Sequence, residues 1–142
     1  MSLRNDFADN IVDVLKNMRD PKPILVTREP FDVEKLAITQ FPAILVLTGS
    51  EDREDYSMGI KRQGIITYTV RGFVRGGAEL DRQRNDLIER VEETLDLDRS
   101  RGSNRKDTKT EVVSIEVIER LPPLGEVAIT VQVRYLYDKG TN

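Results

Sequence analysis

From Glu126 to Asp138 every second residue is apolar: Val127, Ile129, Val131, Val133, Tyr135 and Tyr137. A period of two places all six on one face of an extended strand, and no helix could bury them together. Burying a large apolar side chain contributes roughly 1.5–3 kcal/mol, so this strand is expected to dominate the core face of a sheet. Residues 60–75 behave alike, with Ile66, Tyr68, Val70 and Val74 on one parity and Lys61, Gln63, Thr67, Thr69 and Arg71 on the other. Residues 112–119 form another strand segment. The short turn Leu121-Pro122-Pro123-Leu124-Gly125 makes this strand and residues 126–138 antiparallel neighbours.

Two stretches change period. Leu3, Phe7, Ile11, Val14, Leu15 and Met18 recur at helical spacing, with Asp6, Asp9, Asp13 and Lys16 between them. Asp20-Pro21 ends that helix, because a residue before proline avoids helical geometry. After the Gly76-Gly77 break, Leu80, Leu87, Ile88, Val91 and Leu95 mark a second helix over 79–97, where Asp86 and Arg90 are spaced for an i,i+4 pair. Residues 24–29 read as a short strand. Residues 31–40 read as a helical turn, with Phe31, Val33, Leu36 and Ile38 as inward anchors. The apolar run Ala43-Ile44-Leu45-Val46-Leu47 reads as a central strand covered on both faces. Residues 50–59 read as a polar surface loop, and 98–110 as a mobile basic loop. Gly64 and Gly72 mark bulges or close backbone approaches. The expected fold is a single α+β domain over 1–142: a mostly antiparallel sheet of about five strands, packed by the N-terminal helix and the second amphipathic helix.

Composition narrows the chemistry. The 142 residues include no cysteine and no histidine. That removes Cys/His zinc sites, disulfides and nucleophiles served by histidine. No G-x-x-x-x-G-K-[ST] or G-x-G-x-x-G pattern occurs, so Gly76-Gly77 reads as a turn. A net charge of −3 argues against gripping nucleic acid over most of the surface. The N-terminus has no apolar secretory core, and no window approaches the roughly 18 apolar residues of a membrane span. The chain is therefore expected to stay in the compartment where it is made, with no membrane, cofactor or metal and no catalytic activity.

Two charged clusters remain. Glu51, Asp52, Glu54 and Asp55 lie within five consecutive positions. Carboxylates are the ligands of hard cations, but the spacing matches no EF-hand, and a solvated loop or docking surface fits better. Arg99, Arg101, Arg105, Lys106 and Lys109 form the basic counterpart. They read as phosphate contacts, as a docking surface for an acidic partner, or as a solvated loop; with no interleaved aromatic, base stacking is not expected. The two clusters are complementary candidates for a subunit interface.

The segment Phe41-Pro42-Ala43-Ile44-Leu45-Val46-Leu47-Thr48-Gly49-Ser50-Glu51 resembles a recurring segment of bacteriophage tail terminator proteins, where a buried strand runs into Gly-x-Glu and an acidic stretch. The order of elements is similar too. An amphipathic helix lies upstream, and Tyr68-Thr69-Val70-Arg71-Gly72-Phe73-Val74 and a charged helix lie downstream. An aromatic-rich strand, Val133-Arg134-Tyr135-Leu136-Tyr137, closes the chain. The basic stretch 98–110 lies outside that pattern. The resemblance implies a structural virion protein, assembled in the host cytoplasm. It implies a homo-oligomeric ring, usually a hexamer, at the head-proximal end of the tail. Such a ring stops tube growth and meets the tail tube protein, a head-completion or neck protein and, in contractile tails, the sheath. DNA only passes through its channel. The alternatives are another head–tail connector, a small nucleic-acid-binding α+β module acting through residues 99–109, and a carboxylate metal-dependent enzyme using Glu51, Asp52, Glu54 and Asp55.

Overall fold

A computed structural model of the chain describes residues 2–55, 61–101 and 108–138. Two helices and five strands occur there: α1 (Leu3–Lys16), β1 (Leu25–Thr27), β2 (Ala43–Asp55), β3 (Lys61–Arg75), α2 (Leu80–Leu97), β4 (Lys109–Ile118) and β5 (Leu124–Asp138). The strands form one sheet in the order β1-β2-β3-β5-β4. β1 runs parallel to β2, and every other pairing is antiparallel. The architecture is the expected α+β arrangement, a mixed five-stranded sheet packed against two helices.

Both helices lie on one sheet face. The six alternating residues of β5 are all buried there, beside Ile66, Tyr68, Val70 and Val74 of β3 and Ile44 and Val46 of β2. α1 adds Phe7, Ala8, Ile11, Val12 and Leu15, while Val14 packs only partly. α2 adds Leu87, Val91 and Leu95. The expected Asp86–Arg90 pair does not form; Arg90 instead meets Glu93 at 2.7 Å. The opposite sheet face is covered at one end only. Two 3-10 turns, Val33–Lys35 and Ile38–Gln40, replace the expected helical turn. Val33 is buried against Ala43, Leu45, Phe73 and Leu124, and Phe31 and Leu36 pack on that cluster. Ile38, expected to point inward, is exposed.

β2 departs most from its reading. Ala43, Ile44, Leu45 and Val46 are buried on both faces as expected. The strand lies second in the sheet rather than at its centre, and it continues to Asp55 through residues read as loop. The reason is its partner. After a register shift between Thr48 and Glu51, the backbone pairs Asp52 with Ile65, Arg53 with Gly64, Glu54 with Gln63 and Asp55 with Arg62. Cross-strand side-chain contacts support these pairs, Gln63 Nε2 to Glu54 Oε1 at 2.8 Å and Arg62 Nε to Asp55 Oδ1 at 3.3 Å. A hairpin arm paired in this way needs no apolar face of its own.

Neither Gly64 nor Gly72 interrupts the β3–β5 register, so both are close approaches rather than bulges. Gly64 stands opposite Tyr135, and a Cβ there would overlap the tyrosine ring. A Cβ on Gly72 would come within 2.7 Å of Leu87 Cδ2, so its bareness lets α2 seat on the sheet. Gly64→Ala should lower stability by about 1–3 kcal/mol through overpacking, read as a lower urea midpoint with an unchanged denaturant slope.

Candidate interface sites

The acidic cluster separates into inward and outward members. Glu51 turns toward the body, where it meets Arg4 of α1, Arg53 at 3.1 Å and the hydroxyl of Tyr135 on β5. Tyr68 adds a bond from its hydroxyl to the Arg4 carbonyl at 2.9 Å. Glu51 thus ties the start of α1 to β2 and β5, and it is spent on the fold rather than offered to a partner. Burial works to raise its pKa, but the hydrogen bonds from Tyr135 and Arg53 and the charges of Arg4 and Arg53 outweigh burial and hold it below the ordinary value. Burial, then the Glu51 contact, pushes Tyr135 up to about 12. Asp52, Glu54 and Asp55 are exposed on the hairpin arm, the last two facing Gln63 and Arg62. Among the described residues no group of three carboxylates is placed to hold a metal ion, because strand alternation and the engagement of Glu51 separate these side chains.

The basic cluster is split more sharply. Arg101, a candidate for phosphate contact, partner docking or a solvated loop, is 1% exposed and available to none of them. Its guanidinium donates to Thr110 Oγ1 at 2.9 Å, Asn10 Oδ1 at 2.7 Å, the Leu95 carbonyl at 3.2 Å and the Asp98 carbonyl. Its backbone N–H reaches Thr108 Oγ1 at 2.7 Å. The last carbonyls of a helix lack partners along the helix and carry its negative dipole end. A cation placed there satisfies both needs at once. Burial pulls the Arg101 pKa below the ordinary arginine value, with the charge of Asp98 opposing it. Arg99 and Lys109 stay at the surface, 3.8 Å from Asp96 and 3.4 Å from Glu111. Arg105 and Lys106 fall outside the described residues. Reversing the charge of Arg101 would therefore test folding rather than assembly, and the nucleic-acid reading loses a principal contact.

A third charged group has no counterpart in the two sequence clusters. Glu126 is 1% exposed on the face away from the helices and bridges two arginines. Arg71 Nη2 lies 2.7 Å from Glu126 Oε2, and Arg120 Nε lies 2.6 Å from Oε1. Both guanidiniums sit over the Phe73 ring, 5.2 and 5.7 Å from its centroid. The groove beside them also carries Glu34 and Glu119, so two positive charges face three negative ones and an anion would gain nothing there. This bridge fastens the β4–β5 turn to β3. Periodicity alone would leave Glu126 on a solvent-facing parity, and only its tertiary neighbours reveal it.

The sequence matches no protein-family model and no curated protein. No helix among the described residues is long and apolar enough to cross a membrane.

Arg101→Ala would strand the Asn10, Thr110 and Leu95 acceptors, at a cost on the order of 3 kcal/mol. Arg101→Lys should recover little of it, since one ammonium lacks the planar fork that reaches several acceptors; urea denaturation of both variants checks this. Glu51 has a lower pKa folded than unfolded, so its stabilisation is complete above a pH of about 4.5 and is lost as pH falls through the depressed native value. Glu51→Gln should accordingly flatten the acid limb of the stability profile, measured by denaturation from roughly pH 3 to 6.

Proposed function

We propose that this chain is a non-catalytic assembly subunit that forms a ring, usually hexameric, at the head-proximal end of a phage tail. There it ends growth of the tail tube and offers a joining surface to the head or neck. The supporting sequence feature is the 41–51 segment, whose apolar part is the doubly covered start of β2. The observation that carries an assembly role is β4. Among the described residues it is an outer strand of the sheet, bonded to β5 on one side only. Along it Val113, Ile115 and Val117 stand 41–46% exposed. Three aliphatic side chains in a row on a free sheet edge are a surface that a partner would cover. The bulge between Val112 and Ser114 and the charges of Glu111 and Glu116 interrupt the edge, which limits uncontrolled strand addition. The tube, the neck protein and, in a contractile tail, the sheath are the partners of this reading.

Electron microscopy of the purified protein should show rings with a central hole, and light scattering should give the mass of a closed oligomer. A monomer at every concentration tested would sink the proposal. Ile115→Lys with Val117→Lys should leave the fold intact, since both positions are already half open. It should lower the capacity to cap or join tubes, scored by tube length in reconstituted assembly.

A further inference from the structure

Leu97 is 87% exposed, the most open large apolar side chain among the described residues. It is not on a loose end. Arg101 grips the Leu95 and Asp98 carbonyls from inside the protein. The Ser100 N–H donates to Asp98 Oδ1 at 2.9 Å, and Thr110 Oγ1 donates to the Arg99 carbonyl at 2.9 Å. The backbone from 95 to 101 is thus fixed on both sides of a protruding leucine. Beside it stands Arg99, half exposed and only 3.8 Å from an equally open Asp96. An apolar anchor held rigid in the free protein binds with little ordering cost.

A complementary hollow lies elsewhere on the same chain. A cavity of about 340 Å3 has Pro21, Ile38 and Phe41 among its apolar lining and Asp20, Asp86 and Arg75 among its charged lining. Ile38 is 68% exposed, and among the described residues neither Asp20 nor Asp86 has an ion-pair partner. Asp86 and Leu97 are both on α2, eleven residues and about 16 Å apart along its axis, so the leucine cannot fill the cavity of its own chain.

We infer that the Leu97–Arg99 corner of one subunit docks into the Ile38–Phe41 cavity of the next, with Leu97 on the apolar floor and Arg99 against Asp20 and Asp86. Arg75 at the rim then faces Asp96 of the incoming corner. The occupant is a second copy because this one chain carries both halves with matching charges. Two different patches joined head to tail give a heterologous contact, which closes into a ring when its rotation permits. The inference rests on the ring reading and supplies its interface.

The cysteine-free chain permits a direct test. Leu97→Cys with Ile38→Cys in one chain should, on mild oxidation, give a ladder of covalent multimers ending at the ring number. A mixture of the two single variants should give dimers only, because each carries one half of the pair. Both sites are exposed, so the core is untouched. Arg99→Asp should weaken assembly on the order of tenfold, and Asp86→Arg in the same chain should restore it. Rings seen by microscopy without this cross-link, and without an effect of Arg99→Asp, would overturn the contact and leave the ring reading standing. A cross-linked ladder without closed rings would uphold the contact and overturn the ring. Monomers with no cross-link would overturn both.

Discussion

Two fifteen-residue strands, β3 and β5, pair along their whole length, and β2 and β4 are bonded to their outer edges. At about 3.3 Å per residue each spans about 50 Å. The 14 residues of α1 reach about 21 Å and the 18 of α2 about 27 Å. Neither helix spans that length alone, and the two divide it, with Phe7 of α1 edge-on to Tyr135 and Leu80 and Leu87 of α2 beside Gly125 and Gly72. The alternating side chains of β5 therefore stay buried from Val127 to Tyr137, while β2 runs out along β3 as a stretch of paired polar residues.

The contrast between burial and backbone pairing accounts for what is legible in the sequence. Where burial decides structure, period and burial coincide, so the parity of β5, the core residues of β3 and the stripe of α2 could all be read from spacing. Where backbone pairing decides structure, composition misleads. Ser50 to Asp55 resembles a loop because it lacks apolar residues, yet a strand needs only a partner, and β3 supplies one. The 3-10 turns between β1 and β2 fall between these cases. Their anchors Phe31, Val33 and Leu36 were visible, but the exposure of Ile38 was not, because single apolar residues in irregular segments have no period to orient them.

Charged residues were the least legible. Glu51, Arg101 and Glu126 look like surface groups by type, and each is instead a tie between elements distant in sequence. Glu51 joins α1 to β2 and β5, Glu126 joins the β4–β5 turn to β3, and Arg101 joins α1, the end of α2 and the start of β4. Such partners are set by the assembled fold, and nothing in local sequence announces them. Of the seven charges of the acidic and basic clusters among the described residues, Arg99 is the one that ends beside an exposed apolar anchor.

The ligation of Arg101 has a consequence for motion. Among the described residues none of its side-chain acceptors is a carboxylate; they are two carbonyls, a threonine hydroxyl and an asparagine oxygen on three separate elements. A lone guanidinium drawn out of water loses most of its compensation when any one of these elements withdraws. Fraying at the end of α2 would expose the cation along with the start of β4 and the middle of α1. The amide protons of these three places should then exchange with solvent as one cooperative opening rather than as three local ones, a foldon assembled from segments as distant in sequence as Asn10 and Thr110.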